Sequence, residues 1–262
     1  MKLLLPRLTL GLGLAFLGCL VAIATAGTVS PVQSTAKPSG LTVIGQVQLG
    51  GSDAQAATVQ ALIPGYVTMV NQYLPETVAF TGAGLHQLDP QRLYFTFAYA
   101  PRVYYLYEGA CYTNALGATI ATVAAPTNQV LTGNTFTIFP NVHSSISAVC
   151  ASGSGKRTTS EPLLAGDFVQ LPTVNAGQQL SFFIMANLTG NTPADTYYNG
   201  TSNNPDNFQH MIAFFPDNSQ YIIIGFEDMF NGGDKDCNDV MFVVDVGAQN
   251  AALWRSPTTF PK

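Results

Sequence analysis

An acidic loop between two apolar stretches is the feature that most constrains the fold of this chain. Tyr221–Phe226 and Val240–Val246 are apolar runs with strand-type composition. The 13 residues between them hold five of the 15 Asp and Glu residues of the chain, and Lys235 is the only basic residue among them. So many like charges between two buried strands are costly unless a positive partner lies among them. The candidate ligands in this loop are Glu227, Asp228, Asp234, Asp236, Asn238 and Asp239.

The spacing of three of these side chains indicates a calcium site. Asp234, Asp236 and Asn238 occupy alternate positions, as the first three ligands of an EF-hand loop do. Hard oxygen ligands favour Ca²⁺ over softer metals. The loop is not an EF-hand, because the later Gly and Glu positions are missing and strands flank it. Gly232-Gly233 supplies the backbone freedom that an ion-wrapping loop needs.

The other acidic residues of the loop could serve as further ligands or as hydrogen-bond acceptors. Asp228 and Glu227 could complete the ligand shell from the opposite end of the turn. Asp239 could be a ligand or could accept a hydrogen bond from one. The alternative is an acidic hairpin loop that is solvated by water and binds no metal.

The N-terminus has the three parts of a secretory signal peptide. Lys2 and Arg7 precede an apolar region, Leu8–Ile23, and Ala24-Thr25-Ala26 is an A-x-A cleavage site. We therefore expect residues 1–26 to be a signal peptide and residues 27–40 to be a flexible leader. This predicts a secreted protein, extracellular or at the cell surface, with no membrane attachment after cleavage.

Composition agrees with an extracellular β-protein and argues against a nucleic-acid partner. Removal of Lys2 and Arg7 leaves 8 basic and 15 acidic residues, a formal charge of −7. Nucleic-acid binding requires a basic surface, which such a chain lacks. Only 10% of the residues are charged, whereas Gly, Thr, Ser, Asn and aromatic residues are plentiful.

The hydrophobic pattern predicts one helical excursion followed by many short strands. Apolar residues in 55–74 recur every three or four positions, which predicts a helix that Pro64-Gly65 kinks or divides. Leu41–Leu49 alternates as a strand does. The later predicted strands are Leu93–Tyr99, Val103–Tyr107, Thr135–Phe139, Ser145–Cys150, Phe168–Leu171, Leu180–Ala186, Met211–Phe215, Tyr221–Phe226 and Val240–Val246.

This pattern predicts an all-β fold, an antiparallel, jelly-roll-like β-sandwich with a short helical excursion near its N-terminus. The N-terminal strand and helix, residues 41–91, would pack on the sandwich of residues 92–247, and residues 248–262 would be a C-terminal tail. The Asn-rich stretch 187–207 reads as a long loop with glycosylation sequons at Asn187 and Asn199.

The cysteines allow a disulfide once the chain is exported. Cys19 would leave with the signal peptide, and Cys111 and Cys150 are the predicted pair because both lie near strand-type segments. Cys237, inside the acidic loop, would be left unpaired. The alternative is three free, partly buried thiols.

Catalytic motifs are not evident, and we predict that the protein is not an enzyme. His86, His143 and His210 have no metal-ligand partner at close spacing, and there is no G-x-S-x-G nucleophile motif. Glu108 and Asn114 could line the same site as the acidic loop, but a role in a turn is the better interpretation.

Several motifs resemble the bacterial secreted domain family DUF4114, whose hallmark is a GFED…GGDxDxND core. The chain has Gly225-Phe-Glu-Asp, then Gly232-Gly-Asp-Lys-Asp-Cys-Asn-Asp, and upstream Glu108-Gly-Ala-Cys-Tyr-Thr-Asn. The resemblance covers roughly residues 92–247. It implies an extracellular β-sandwich that binds calcium and occurs in surface, matrix and adhesion-type proteins.

The predicted function is therefore a secreted Ca²⁺-binding β-sandwich with a structural, adhesive or carbohydrate-binding role. Its partner would be a glycan or a cell-surface or matrix component. Two alternatives remain open: a calcium-dependent extracellular hydrolase acting on carbohydrate, and a self-assembling subunit of an extracellular filament or matrix.

Overall fold

The computed structural model describes residues 33–90, 93–125, 127, 131–146, 150–216 and 219–256. The predicted signal peptide and the first part of the leader lie outside these residues. The helices are α1 (Ala54–Tyr73) and α2 (Ala248–Arg255). The strands are β1 (His86–Leu88), β2 (Tyr94–Phe95), β3 (Arg102–Glu108), β4 (Ala115–Thr122), β5 (Asn134–Phe139), β6 (Phe168–Gln170), β7 (Gln178–Ala186), β8 (Asp195–Tyr198), β9 (Met211–Phe215), β10 (Tyr221–Phe226) and β11 (Val240–Asp245).

The strands form two antiparallel sheets, which confirms the predicted β-sandwich. One sheet has six strands in the order β1-β9-β10-β11-β3-β6. The other has the order β2-β7-β4-β5, and β8 also pairs with β7. Neighbouring strands in both sheets run antiparallel, and β10 pairs with β11 along its whole length, from Tyr221 with Asp245 to Phe226 with Val240.

Both faces of the six-stranded sheet are covered, which explains its continuous apolar runs. Side chains along a strand alternate between faces. Ile222 and Ile224 belong to the core between the sheets. Ile223 and Val243 belong to a second apolar cluster with α1. The central strands therefore carry apolar residues at every position, as strands buried on both faces do.

Helix α1 packs on the outer face of this sheet and passes through Pro64 as one helix of 20 residues. The Asp53 side chain caps its first turn by accepting a hydrogen bond from the Ala56 amide at 2.8 Å. The predicted division at Pro64-Gly65 is wrong. Pro64 and Gly65 are exposed, so the carbonyl one turn earlier, which loses its partner, can face water. Neither described helix is long and apolar enough to cross a membrane.

Several segments differ from the sequence predictions. The predicted strand Leu41–Leu49 is wrong, since Val43 and Gln48 make only isolated bridges, to Thr137 and Phe168. Residues 145–146 lie in a turn, and the rest of that predicted strand lies largely outside the described residues. Strands β1, β4 and β8 and helix α2 were not predicted.

The predicted cysteine pairing is confirmed. Cys111 and Cys150 form a disulfide, with their Cα atoms 5.2 Å apart. Cys237 is a free, buried cysteine. The disulfide links the segment that follows β3 to the loop after β5.

Candidate metal site

The acidic loop joins β10 to β11 at one end of the six-stranded sheet. Val240, the first residue of β11, pairs with Glu108 at the end of β3. The next amide, that of Gly109, donates to the carbonyls of Asn238 and Asp239 at 3.2 and 3.0 Å. The loop is thus attached to two neighbouring strands.

The loop backbone is tightly curled. Gly232, Gly233, Lys235 and Cys237 all have positive φ, with values of 75°, 46°, 68° and 60°. This left-handed conformation costs little at Gly, which explains the Gly-Gly pair, but it is unfavourable at Lys and Cys. Because residues 233, 235 and 237 have positive φ, the side chains of the residues between them, Asp234 and Asp236, turn toward the inside of the curled loop.

Three carboxylates converge within this curl. Glu227, Asp234 and Asp236 each offer one oxygen, and these oxygens all lie within 4.8 Å of one another. Glu227 and Asp236 are each only 1% exposed, whereas Asp234 is exposed. The cluster therefore has two buried members and one member that faces solvent.

Backbone amides hold the two buried carboxylates in place. The Cys237 amide donates to Glu227 Oε1 at 2.9 Å. Asp236 accepts from the Asn238 amide at 3.1 Å and from the Thr77 amide at 2.9 Å. The Thr77 bond comes from the segment after α1, more than 150 positions away in sequence. Amide hydrogen bonds orient both carboxylates but supply no full positive charge.

Asp228 and Asp239 form a second, adjacent carboxylate pair. The Asp228 amide donates to Asp239 Oδ2 at 2.7 Å. Asn114 donates its side-chain amide to Asp228 Oδ2 at 2.7 Å and accepts the Asn187 amide at 3.0 Å.

The side chain of Asn238, the third predicted ligand of the alternating series, is bonded through its nitrogen only. Its Nδ2 donates to the Leu74 carbonyl at 3.0 Å. Its Oδ1 is buried and has no hydrogen-bond partner among the described residues. A buried polar oxygen without a partner costs free energy unless something outside the protein chain satisfies it.

Burial and mutual repulsion raise the pKa of most carboxyl groups in this loop. Burial, together with the charges of Asp236 and Asp234, raises the pKa of Glu227 to about 7. Burial, with repulsion from Asp234 and Glu76, raises the pKa of Asp236 to about 6. The pKa of Asp239 rises furthest, to about 10, through burial and the charges of Asp228 and Glu227. Burial also raises the pKa of Asp228, against the hydrogen bond from Asn114.

The structure brings to the loop several residues that sequence reasoning missed. Thr77 and Leu74 contribute backbone groups from the segment after α1. Asn114, which we expected to hold a turn, bonds to Asp228 and so belongs to the acidic site. Glu108 instead pairs with His143, at 2.6 Å. The alternative considered from the sequence, that these two residues line the same site as the acidic loop, is therefore met by Asn114.

His210 is a buried side chain that contacts the backbone at the start of the acidic loop. The ring contacts the Glu227 carbonyl through Nδ1 at 3.0 Å and Asp206 through Nε2 at 2.9 Å. Asp206 also accepts the Asn231 amide at 2.6 Å, and the Tyr197 ring stacks on the imidazole with centroids 3.6 Å apart. This buried group holds the backbone on which the carboxylates are mounted.

Comparison with known proteins gives one family match. Residues 174–247 match the family described as "Domain of unknown function (DUF4114)". No curated protein and no solved structure gave a significant match. The matched segment runs from just before β7 to the end of β11, so it includes the whole acidic loop but not α1. This match supports the family that the sequence motifs resemble, over the C-terminal part, residues 174–247, of the stretch that carries the resemblance.

Proposed function

We propose that this protein is a secreted β-sandwich that binds Ca²⁺ in its acidic loop and acts as a non-catalytic structural or adhesive module. The observation that carries the proposal is the convergence of carboxylate oxygens from Glu227, Asp234 and Asp236 within 4.8 Å. The other acidic residues of the loop lie beside this cluster.

The donor set fits calcium. All candidate ligands are oxygens, which Ca²⁺ prefers, and Ca–O bonds measure about 2.3–2.6 Å. Two oxygens on opposite sides of one ion are thus about 5 Å apart, close to the spread of the three carboxylates. The exposure of Asp234 leaves room for water ligands. Bound calcium would supply the positive charge that the backbone amides around Glu227 and Asp236 do not.

The chain's own residues would then form a rigid binding edge. A pocket of about 210 Å³ next to the loop is lined by apolar side chains that include Phe80, Phe208 and Ile212, with Lys235 at its rim. Met229 and Phe230 in the loop itself are exposed large apolar side chains. An aromatic surface beside a cation suits a glycan or another cell-surface component, which we propose as the partner class.

Thermal unfolding of the chain without residues 1–26 tests the calcium site. We expect EGTA to lower the melting temperature and calcium to restore it. A ligand at 100 times its Kd adds about 2.7 kcal/mol, which corresponds to roughly 5–10 °C for a domain of this size. Asp234→Asn and Asp236→Ala should weaken the calcium response, and Glu161→Gln, which removes a carboxylate outside the loop, should leave it unchanged. A wild-type chain insensitive to both EGTA and calcium contradicts the proposal.

A glycan array with and without calcium tests the proposed partner class. Calcium-dependent retention without any turnover of the bound glycan supports a binding module. Release of cleaved sugar would instead favour the hydrolase alternative, and calcium-induced polymers in light scattering would favour the filament alternative.

A further inference from the structure

Two side-chain oxygens, from Asn238 and Glu76, lie close to the Cα atom of Gly109. A methyl group at this glycine would lie 2.2 Å from Asn238 Oδ1 and 2.7 Å from Glu76 Oε1. The two oxygens therefore approach the same point from different segments. They are separated by less than two hydrogen-bond lengths.

No described residue donates a hydrogen bond to both oxygens of this pair. The orientation of the Asn238 amide is fixed, because its nitrogen faces the Leu74 carbonyl at 3.0 Å and a flipped amide would put two acceptors there. Its Oδ1 consequently faces Glu76 with no donor of its own. The one side chain that donates to Glu76 Oε1 among the described hydrogen bonds is Tyr107, through its hydroxyl at 3.1 Å. Asn238 Oδ1 is therefore a buried acceptor without a donor, and a cation held between it and Glu76 would remove the free-energy cost of leaving it unpaired.

This position is separate from the cluster of Glu227, Asp234 and Asp236. Glu76 is not a member of that cluster. Asp236 lies between the two positions, because its carboxylate accepts the amide of Thr77, the residue after Glu76. Glu76 is exposed, so water can supply further ligands on its outer side.

We propose that a second Ca²⁺ binds between Glu76 and Asn238 and fastens the segment after α1 to the acidic loop. The proposal rests on the proposed function only in its choice of ion. The segment already contacts the loop through Leu74, Thr77 and Phe80, whose amide donates to the Lys235 carbonyl at 2.6 Å. Glu76 lies outside the DUF4114 match, so this cation would join the N-terminal helix to that domain.

Calcium titration by calorimetry tests this second position. We expect two ions per wild-type chain and one per Glu76→Gln chain, with the affinity of the remaining ion within about threefold of wild type. Asp234→Asn should retain the ion at Glu76, and Glu161→Gln, the same substitution at another site, should bind two. The fold of each variant is checked by its melting temperature in EGTA.

Terbium emission locates the ion independently. Tyr107 touches Glu76, so Tb³⁺ at this position should be excited through that ring. We expect Tyr107→Phe to reduce tyrosine-sensitised emission severalfold. Tyr66→Phe, on α1 near Ser219, should leave it unchanged.

The outcomes separate the two proposals. A single ion that is lost in Asp234→Asn and kept in Glu76→Gln, with unchanged emission in Tyr107→Phe, means that water alone bridges Glu76 and Asn238 and overturns this inference. A single ion lost in Glu76→Gln and kept in Asp234→Asn supports the inference and contradicts the three-carboxylate site. A wild-type chain that binds no calcium contradicts both.

Discussion

Buried acidic side chains in this protein fall into two groups, distinguished by the charge beside them. Asp167 pairs with Arg157, and Glu108 pairs with His143. Within the part of the chain that the structure describes, Glu227 and Asp236 have no Lys, Arg or His partner, although both are just as buried. Asp245 is also buried and accepts hydrogen bonds from the Gln55 side chain and the Gly247 amide. What distinguishes the acidic loop is therefore that several carboxylates without a basic partner gather in one place.

The Glu108–His143 pair predicts how the free energy of unfolding depends on pH. Burial alone lowers the pKa of His143, but hydrogen bonding and attraction by Glu108, with smaller effects of Glu161 and Asp228, raise it above 6.5. A raised His pKa contributes stability that is complete below pH 6.5 and is lost as the pH rises through the folded value. Urea unfolding in calcium should therefore show stability falling above pH 6.5.

His143→Gln is the matched test of this pH effect. The variant keeps a donor for Glu108 but cannot titrate, so the fall above pH 6.5 should flatten. His86→Gln, which changes a largely exposed His, should retain the wild-type slope. An unchanged slope in His143→Gln would show that other groups cause the pH dependence.

Strand β4 shows why one central element was not evident from the sequence. Its sequence, Ala-Leu-Gly-Ala-Thr-Ile-Ala-Thr, is rich in small residues with weak strand preference. It nevertheless lies between β5 and β7 and is buried except at its last residue. Small residues are needed there because large aromatic rings from neighbouring strands occupy the space.

Gly117→Ala tests this packing. A Cβ at Gly117 would lie 2.3 Å from the Phe183 ring and 3.0 Å from the Phe136 carbonyl. We expect the substitution to lower the free energy of unfolding in urea by about 1–3 kcal/mol, because the ring must move against a packed sheet. Gly65→Ala is the control, since its Cβ meets nothing within 4 Å on the exposed face of α1. That change should stabilise the protein by about 0.4–1 kcal/mol. Equal effects of the two substitutions would contradict this account.

Across the whole molecule, long-range links hold the loops to the sandwich. The Cys111–Cys150 disulfide spans 39 positions, and Trp254 of α2 is buried and donates to the Tyr94 carbonyl at 2.8 Å. The segment assigned from sequence as a tail thus begins with a helix that covers the edge of the core. The N-terminal helix, the acidic loop and this C-terminal helix all pack on the six-stranded sheet or its edges.

Removal of the disulfide should lower stability without changing the fold. A disulfide stabilises a protein mainly by restricting the unfolded chain, typically by about 2–4 kcal/mol. We expect a reducing agent to lower the urea midpoint of the wild type. The double variant Cys111→Ser/Cys150→Ser should start from the lower midpoint and show no further response. A response of the double variant would assign the effect to Cys237, which is buried.

The sequence by itself determined the class of fold and the chemistry of the loop. Period-two and continuous apolar runs located β3, β7, β9, β10 and β11, because burial leaves that pattern in local composition. The alternating acidic residues from Asp234 predicted a site for a hard cation, because oxygen ligands at alternate positions of a short loop converge.

Only the tertiary structure decided which groups surround that loop. Glu76, Thr77 and Asn114 come from segments more than 100 positions away, and no local pattern links them to Asp228 or Asp236. The same holds for β4, whose place in the sheet depends on space left by the rings of Phe136 and Phe183. Local composition reports whether a segment is buried, but which distant segments meet is set by how the two sheets and α1 pack together.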